Sequence, residues 1–127
     1  MYKDGKIITE AFDLTTEWQD VGSEIDTHGI EEFGIWQQND INSGANIQIR
    51  LVGVNPFNPT LDFYLPIKTV SSSKCNVEDH LVEFTNDADE NYVVSWTFGK
   101  IVPKVQFQAL ALTAGGAQID SLTYTAW

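Results

Sequence analysis

The sequence predicts an all-β fold: one antiparallel β-sandwich, wound like a jelly roll from roughly eight or nine short strands. Three observations carry this expectation. Apolar and polar residues alternate with period two in four separate runs. Turn-forming residues interrupt the chain at fairly regular spacing. Helical periodicity is nearly absent. Successive side chains of a strand point to opposite faces, so a period of two marks a strand with one face buried.

Taken in order, weak strand candidates run over residues 6–12, 17–21 and 33–37. A helical turn is possible in "THGIEEF" at 27–33. The first strong run sets Ala45, Ile47, Ile49 and Leu51 on one face, with Asn46, Gln48 and Arg50 on the other. The second aligns Leu61, Phe63, Leu65 and Ile67 against Asp62, Tyr64 and Pro66. A weaker run follows at 78–85. The third strong face is Tyr92, Val94, Trp96 and Phe98, and the fourth Val105, Phe107, Ala109 and Ala111. A weak candidate at 118–127 completes the set. Breakers separate the runs: Gly5, Gly22, Gly29, Asn55-Pro56, Asn58-Pro59, the serines at 71–73, the polar stretch 86–91, Gly99 and Gly115-Gly116. No repeat or linker divides residues 1–127, so one domain is expected.

Composition narrows the function classes. With 127 residues, 43% hydrophobic and 12% aromatic, the chain has the material for a core. Asp and Glu number 18 against 7 Lys and Arg, a net charge of −11. Nucleic acid and anionic membranes call for clustered cations, so neither is an expected partner. Acidity of this degree favours solubility at high local concentration. The single cysteine, Cys75, excludes an intrachain disulfide and has no neighbouring histidine to activate it. The start of the sequence shows no signal-peptide pattern, and no apolar run approaches the about 20 residues of a membrane helix. Synthesis in a cytoplasm without export is the expectation.

Motifs for chemistry are thin. "DINSGAN", residues 40–46, resembles a calcium loop but places Gly44 where an oxygen donor belongs, Ala45 at the turn glycine and Leu51 at the bidentate glutamate. It reads as a turn. "NDADEN", residues 86–91, groups three carboxylates and reads as a solvated loop. "VEDH", residues 77–80, places Glu78 and His80 on one face of a strand and Asp79 on the other. Ser95, Ser121 and Cys75 are available nucleophiles, but no G-x-S-x-G elbow frames any of them. His28 and His80 have no zinc-ligand spacing, and no glycine loop cradles a phosphate. No catalytic residue, metal or cofactor is therefore expected.

Four tryptophans stand out. Trp96 lies on a clean apolar face and is expected in the core. Trp36 follows Ile35, which makes its strand apolar on both sides, and Leu110 and Leu112 do the same opposite Ala109 and Ala111. Strands apolar on both faces point to a covering neighbour. With Trp18 and the terminal Trp127, Trp36 is the expected partner interface.

"TEWQDVGSEIDTHG" (16–29), "IWQQNDINSGANIQIR" (35–50), "DFYLPI" (62–67) and "VQFQALA" (105–111) together resemble the small β-sandwich virion proteins of tailed bacteriophages. The resemblance covers most of the chain, through short structural motifs. It implies a capsid decoration protein on the particle exterior, or an accessory protein of tail or neck. It implies as partners the major coat protein, copies of itself, or both, and a place in the virion. No catalytic residues carry over. A carbohydrate-binding β-sandwich is the competing expectation and predicts exposed rings on one face. A hydrolase, with His80 or His28 joined to carboxylates in a cleft, is the third.

Overall fold

Alternation along the chain becomes two sheets packed face to face. The computed structural model describes residues 3–8, 12–28, 30, 32–36, 40–42, 46–55, 57–58, 63–70, 75–84, 93–97, 103–113 and 117–126. Its strands are β1 (Lys3–Ile8), β2 (Phe12–Leu14), β3 (Gln19–Asp26), β4 (Glu32–Trp36), β5 (Asp40–Asn42), β6 (Ile47–Val54), β7 (Phe63–Tyr64), β8 (Ile67–Val70), β9 (Cys75–Glu78), β10 (Leu81–Phe84), β11 (Val93–Thr97), β12 (Lys104–Ala111) and β13 (Ala117–Ala126). All their pairings are antiparallel.

The first sheet runs β1-β13-β4-β11-β8, with β2 and β5 also on β13; the second runs β3-β12-β6-β10-β9, with β7 also on β6. Within these sheets β1 pairs with β13, β3 with β12, β4 with β11 and β6 with β10. Strands met early in the chain thus pair with strands met late, from the outermost pair inward. The pairing order is nested like that of a long hairpin, in two antiparallel sheets. The all-β, antiparallel expectation holds. The strand number exceeds eight or nine because short segments such as β2, β5 and β7 attach to the edges of longer ones.

Three of the predicted apolar faces form the core. Ile47, Ile49 and Leu51 of β6, Val94 and Trp96 of β11, and Val105, Phe107, Ala109 and Ala111 of β12 are buried together with Val21, Ile25, Val82, Tyr124 and Ala126. Phe107 meets Trp96 edge-on at 5.8 Å between ring centres and Tyr124 at 6.3 Å, tying one sheet to the other.

The remaining predicted face does not form one strand. β7 belongs to the second sheet and β8 to the first, so "DFYLPI" includes the crossing between them. Pro66, which has no N–H for a ladder, stands at the break. The neighbouring amides hold the crossing: Leu65 N–H donates to Leu51 O at 3.0 Å and Ile67 N–H to Asp79 O at 3.0 Å. In the segment expected to hold a helical turn, Ile30 N–H donates to Thr27 O at 2.9 Å, and none of its described residues is helical. β3 bulges against β12, where the register jumps between Val105↔Ile25 and Phe107↔Val21. Gly22, with φ of 73°, takes the left-handed conformation the bulge requires. The buried Gln106 amide donates to the carbonyls of Val21, Gly22 and Phe107 at 3.0–3.2 Å, which satisfies groups the broken ladder leaves over.

Candidate functional site: an arginine among rings on the second sheet

The polar face of β6 looks away from the core and presents Gln48 and Arg50. Strand register sets their neighbours. Gln108 of β12 and Leu81 of β10 lie opposite Arg50, and Leu110 and Glu83 lie opposite Gln48. Asp20 of β3 lies opposite Gln108. Tyr64 of β7 lies opposite Val52, one step along the same face.

Side chains join across these strands. The Arg50 guanidinium carbon is 3.9 Å from the centre of the Trp18 ring and 4.3 Å from that of Tyr64. Trp18 precedes β3 on one flank of β6, and Tyr64 lies in β7 on the other. The cation is therefore held between the two rings. Arg50 Nε donates to Gln108 Oε1 at 2.8 Å, and Gln108 Nε2 donates to Asp20 Oδ1 at 2.9 Å. Burial pulls the guanidinium below its ordinary range, against an opposing pull from Tyr64. It remains charged at any physiological pH.

His80 extends the group. Its imidazole stacks on Tyr64 with centres 4.6 Å apart and planes 14° from parallel. The expectation that Glu78 and His80 share one face of a strand is corrected here. β9 ends at Glu78, β10 begins at Leu81, and Asp79-His80 form the two-residue turn between them. Asp79 has φ of 38°, a left-handed conformation that Asp and Asn tolerate better than other side chains. Beside this row, Glu83 accepts from Gln48 Nε2 at 3.3 Å and Asn46 Nδ2 at 3.5 Å.

A second feature lies in the loop after β6. Phe57 is 96% exposed. Its backbone is held all the same, because Asn55 Oδ1 accepts from the N–H groups of Phe57 at 2.9 Å and Asn58 at 3.2 Å. Phe63 and Tyr64 are also exposed. The Phe63 ring packs over Gly53, where a Cβ would lie 2.6 Å from it.

The residues singled out in the sequence fare differently. Trp18 is half-buried in the Arg50 group. Trp36 has its backbone in β4, paired with Val93, while its side chain lies outside the described residues, as does Trp127. "DINSGAN" contributes β5, which pairs with β13, and its residues 43–45 lie outside the described part, as does "NDADEN". His28 is exposed in its turn. Ser95 is buried and its hydroxyl has no hydrogen-bond partner, so no histidine stands within reach of it. Among the described residues no three His, Cys, Asp or Glu side chains gather as a metal site. Arg50, Tyr64 and Phe57 were not expected as site residues, and His80 was singled out only for the hydrolase alternative. For Phe57 a signal existed: an aromatic between two Asn-Pro pairs is an apolar residue in a turn.

No protein-family model matches the chain, and no curated protein matches its sequence. Among solved structures the fold is similar to SPBc2 prophage-derived protein YomS, with a TM-score of 0.48 and 12% identity, over 99% of this chain and 94% of that one. A likeness at that level says nothing of function.

Proposed function

We propose that this chain is a virion structural protein of a tailed bacteriophage, a capsid decoration protein that binds the coat shell in many copies. Its mechanism is stabilisation by binding, with no chemistry. The observation that carries the reading is Phe57, a large apolar side chain almost wholly in solvent on a backbone fixed by Asn55. Exposing a phenyl ring has a cost in water that docking removes, and little entropy is lost when a backbone already held at Phe57 and Asn58 binds. Aromatic anchors of this kind dominate interface energies. Support also comes from the resemblance of residues 16–29, 35–50, 62–67 and 105–111 to phage virion proteins. Repetition over a shell would turn modest contacts into firm attachment, while the net charge of −11 would keep particles apart. A tail or neck accessory protein would share these features and differ in copy number.

The test is rebinding of purified protein to coat shells that lack it. Wild-type chain should saturate the shell, and Phe57→Ser should bind about thirtyfold more weakly, the loss of a hot-spot side chain. Failure of the wild type to bind shells would reject decoration; equal binding by Phe57→Ser would reject Phe57 as the anchor.

One observation favours a second reading, a carbohydrate-binding module: the rings of Trp18, Tyr64 and His80 gather with Arg50 on the outer face of one sheet.

A further inference from the structure

We propose that the surface around Arg50 binds a saccharide that carries a carboxylate, with Arg50 as the group that recognises it. The proposal deepens the glycan reading and rests on it; it is independent of the particle reading.

In a chain of net charge −11, carboxylates are plentiful and arginines are expected to pair with them. Arg50 does not. Among the described residues no carboxylate oxygen lies within 4.0 Å of it. Its Nε bonds to a neutral amide, Gln108, and the nearby carboxylate of Asp20 is occupied by the other end of that amide. Glu83, on the same sheet face, is likewise engaged by the amides of Asn46 and Gln48. Carboxylates on this face are thus tied to amides while the cation is kept from them. Rings on two flanks hold the guanidinium, Tyr64 accepts a hydrogen bond from it, and the terminal N–H groups left over form a pre-oriented fork. A planar fork of this kind fits a carboxylate through paired hydrogen bonds. Partial burial strengthens such a bond relative to open water.

The surroundings choose the rest of the ligand. Tyr64, with Arg50 over one face and His80 on the other, shows its ring edge to solvent, while Trp18 and His80, the half-exposed outer members of the stack, are the rings of a size to meet a sugar ring. Gln48, Gln108, Asn46, Asp20 and Glu83 supply amide and carboxylate groups. Amides both donate and accept, and carboxylates accept, which suits hydroxyl groups that do both. A sugar acid unites a carboxylate for Arg50, a ring face for Trp18 or His80 and hydroxyls for the amides.

The experiment is calorimetric titration of the full chain with trigalacturonic acid, its methyl ester, and maltotriose as a neutral trisaccharide. The acid should bind at least about tenfold more tightly than the ester, the difference expected of one charge-assisted hydrogen bond. Arg50→Gln should abolish that preference. Arg50→Lys, which keeps the charge but not the fork, should retain only part of it, and it guards against a folding defect in the first variant. Equal binding of acid and ester would overturn the carboxylate assignment and leave the glycan reading standing. Absence of binding to all three would overturn both. Hexaglutamate binding as tightly as the saccharide would also overturn the proposal, in favour of an acidic peptide.

Discussion

Arg50 and Trp18 are 32 positions apart in sequence, yet the guanidinium carbon lies 3.9 Å from the centre of the indole. β12 brings them together: it pairs with β6 on one side and with β3 on the other. The contact therefore reports on the order of strands in the second sheet as well as on the candidate site. A double-mutant cycle of Trp18→Ala and Arg50→Ala, followed by urea unfolding, should give a coupling energy of about 0.5–2 kcal/mol. Strict additivity would mean that the two side chains do not touch in solution.

Gly53 is where the backbone makes room for a ring. A methyl group there would stand 2.6 Å from two carbons of the Phe63 ring. Gly53→Ala should lower stability by about 1–3 kcal/mol, because the ring must leave its place. Phe63→Ala in the same chain should recover most of that loss. A double variant as unstable as Gly53→Ala alone would show that the backbone, not the ring, resists the substitution.

Gln106 is the polar residue that makes the bulge in β3 tolerable. Replacing it with Leu keeps the volume and strands the carbonyls of Val21 and Gly22. The expected cost is about 1–3 kcal/mol, with amide exchange accelerated around Gly22 and little changed in β6. Unaltered exchange there would mean that water or a shifted ladder satisfies those carbonyls.

Two phenylalanines should separate stability from binding. Phe107→Ala empties a wholly buried site against Trp96 and should cost about 3–5 kcal/mol. Phe57→Ala should change stability by less than about 0.5 kcal/mol, since its ring touches mainly water. Thermal unfolding of the two variants checks both expectations. A large loss from Phe57→Ala would make that residue structural and remove it as an anchor.

The long strands were legible in the sequence because their core-facing residues recur with a period of two in β6, β11 and β12, even though Val52, Ser95, Gln106 and Leu110 on the opposite faces are buried as well. Where the chain changes sheets, the same period misled. Leu61, Phe63, Leu65 and Ile67 read as one face, but Pro66 ends the pairing of one sheet and Ile67 starts that of the other. "VEDH" failed through its turn: Asp79 takes a left-handed conformation, and His80 leaves the strand for the Tyr64 ring. Trp18 could be singled out as a conspicuous aromatic. Its grouping with Arg50, Tyr64 and His80 could not, because strand pairing distant in sequence creates it and no local pattern encodes it.

A decoration role of the kind proposed above fixes how many copies of this chain a particle must carry. Quantitative mass spectrometry of purified particles, scaled to the major coat protein, tests it most directly. A shell-decorating protein should be found at a copy number comparable to that of the coat protein. A few copies per particle would place the protein in the neck or tail, and absence from particles would contradict the virion reading altogether.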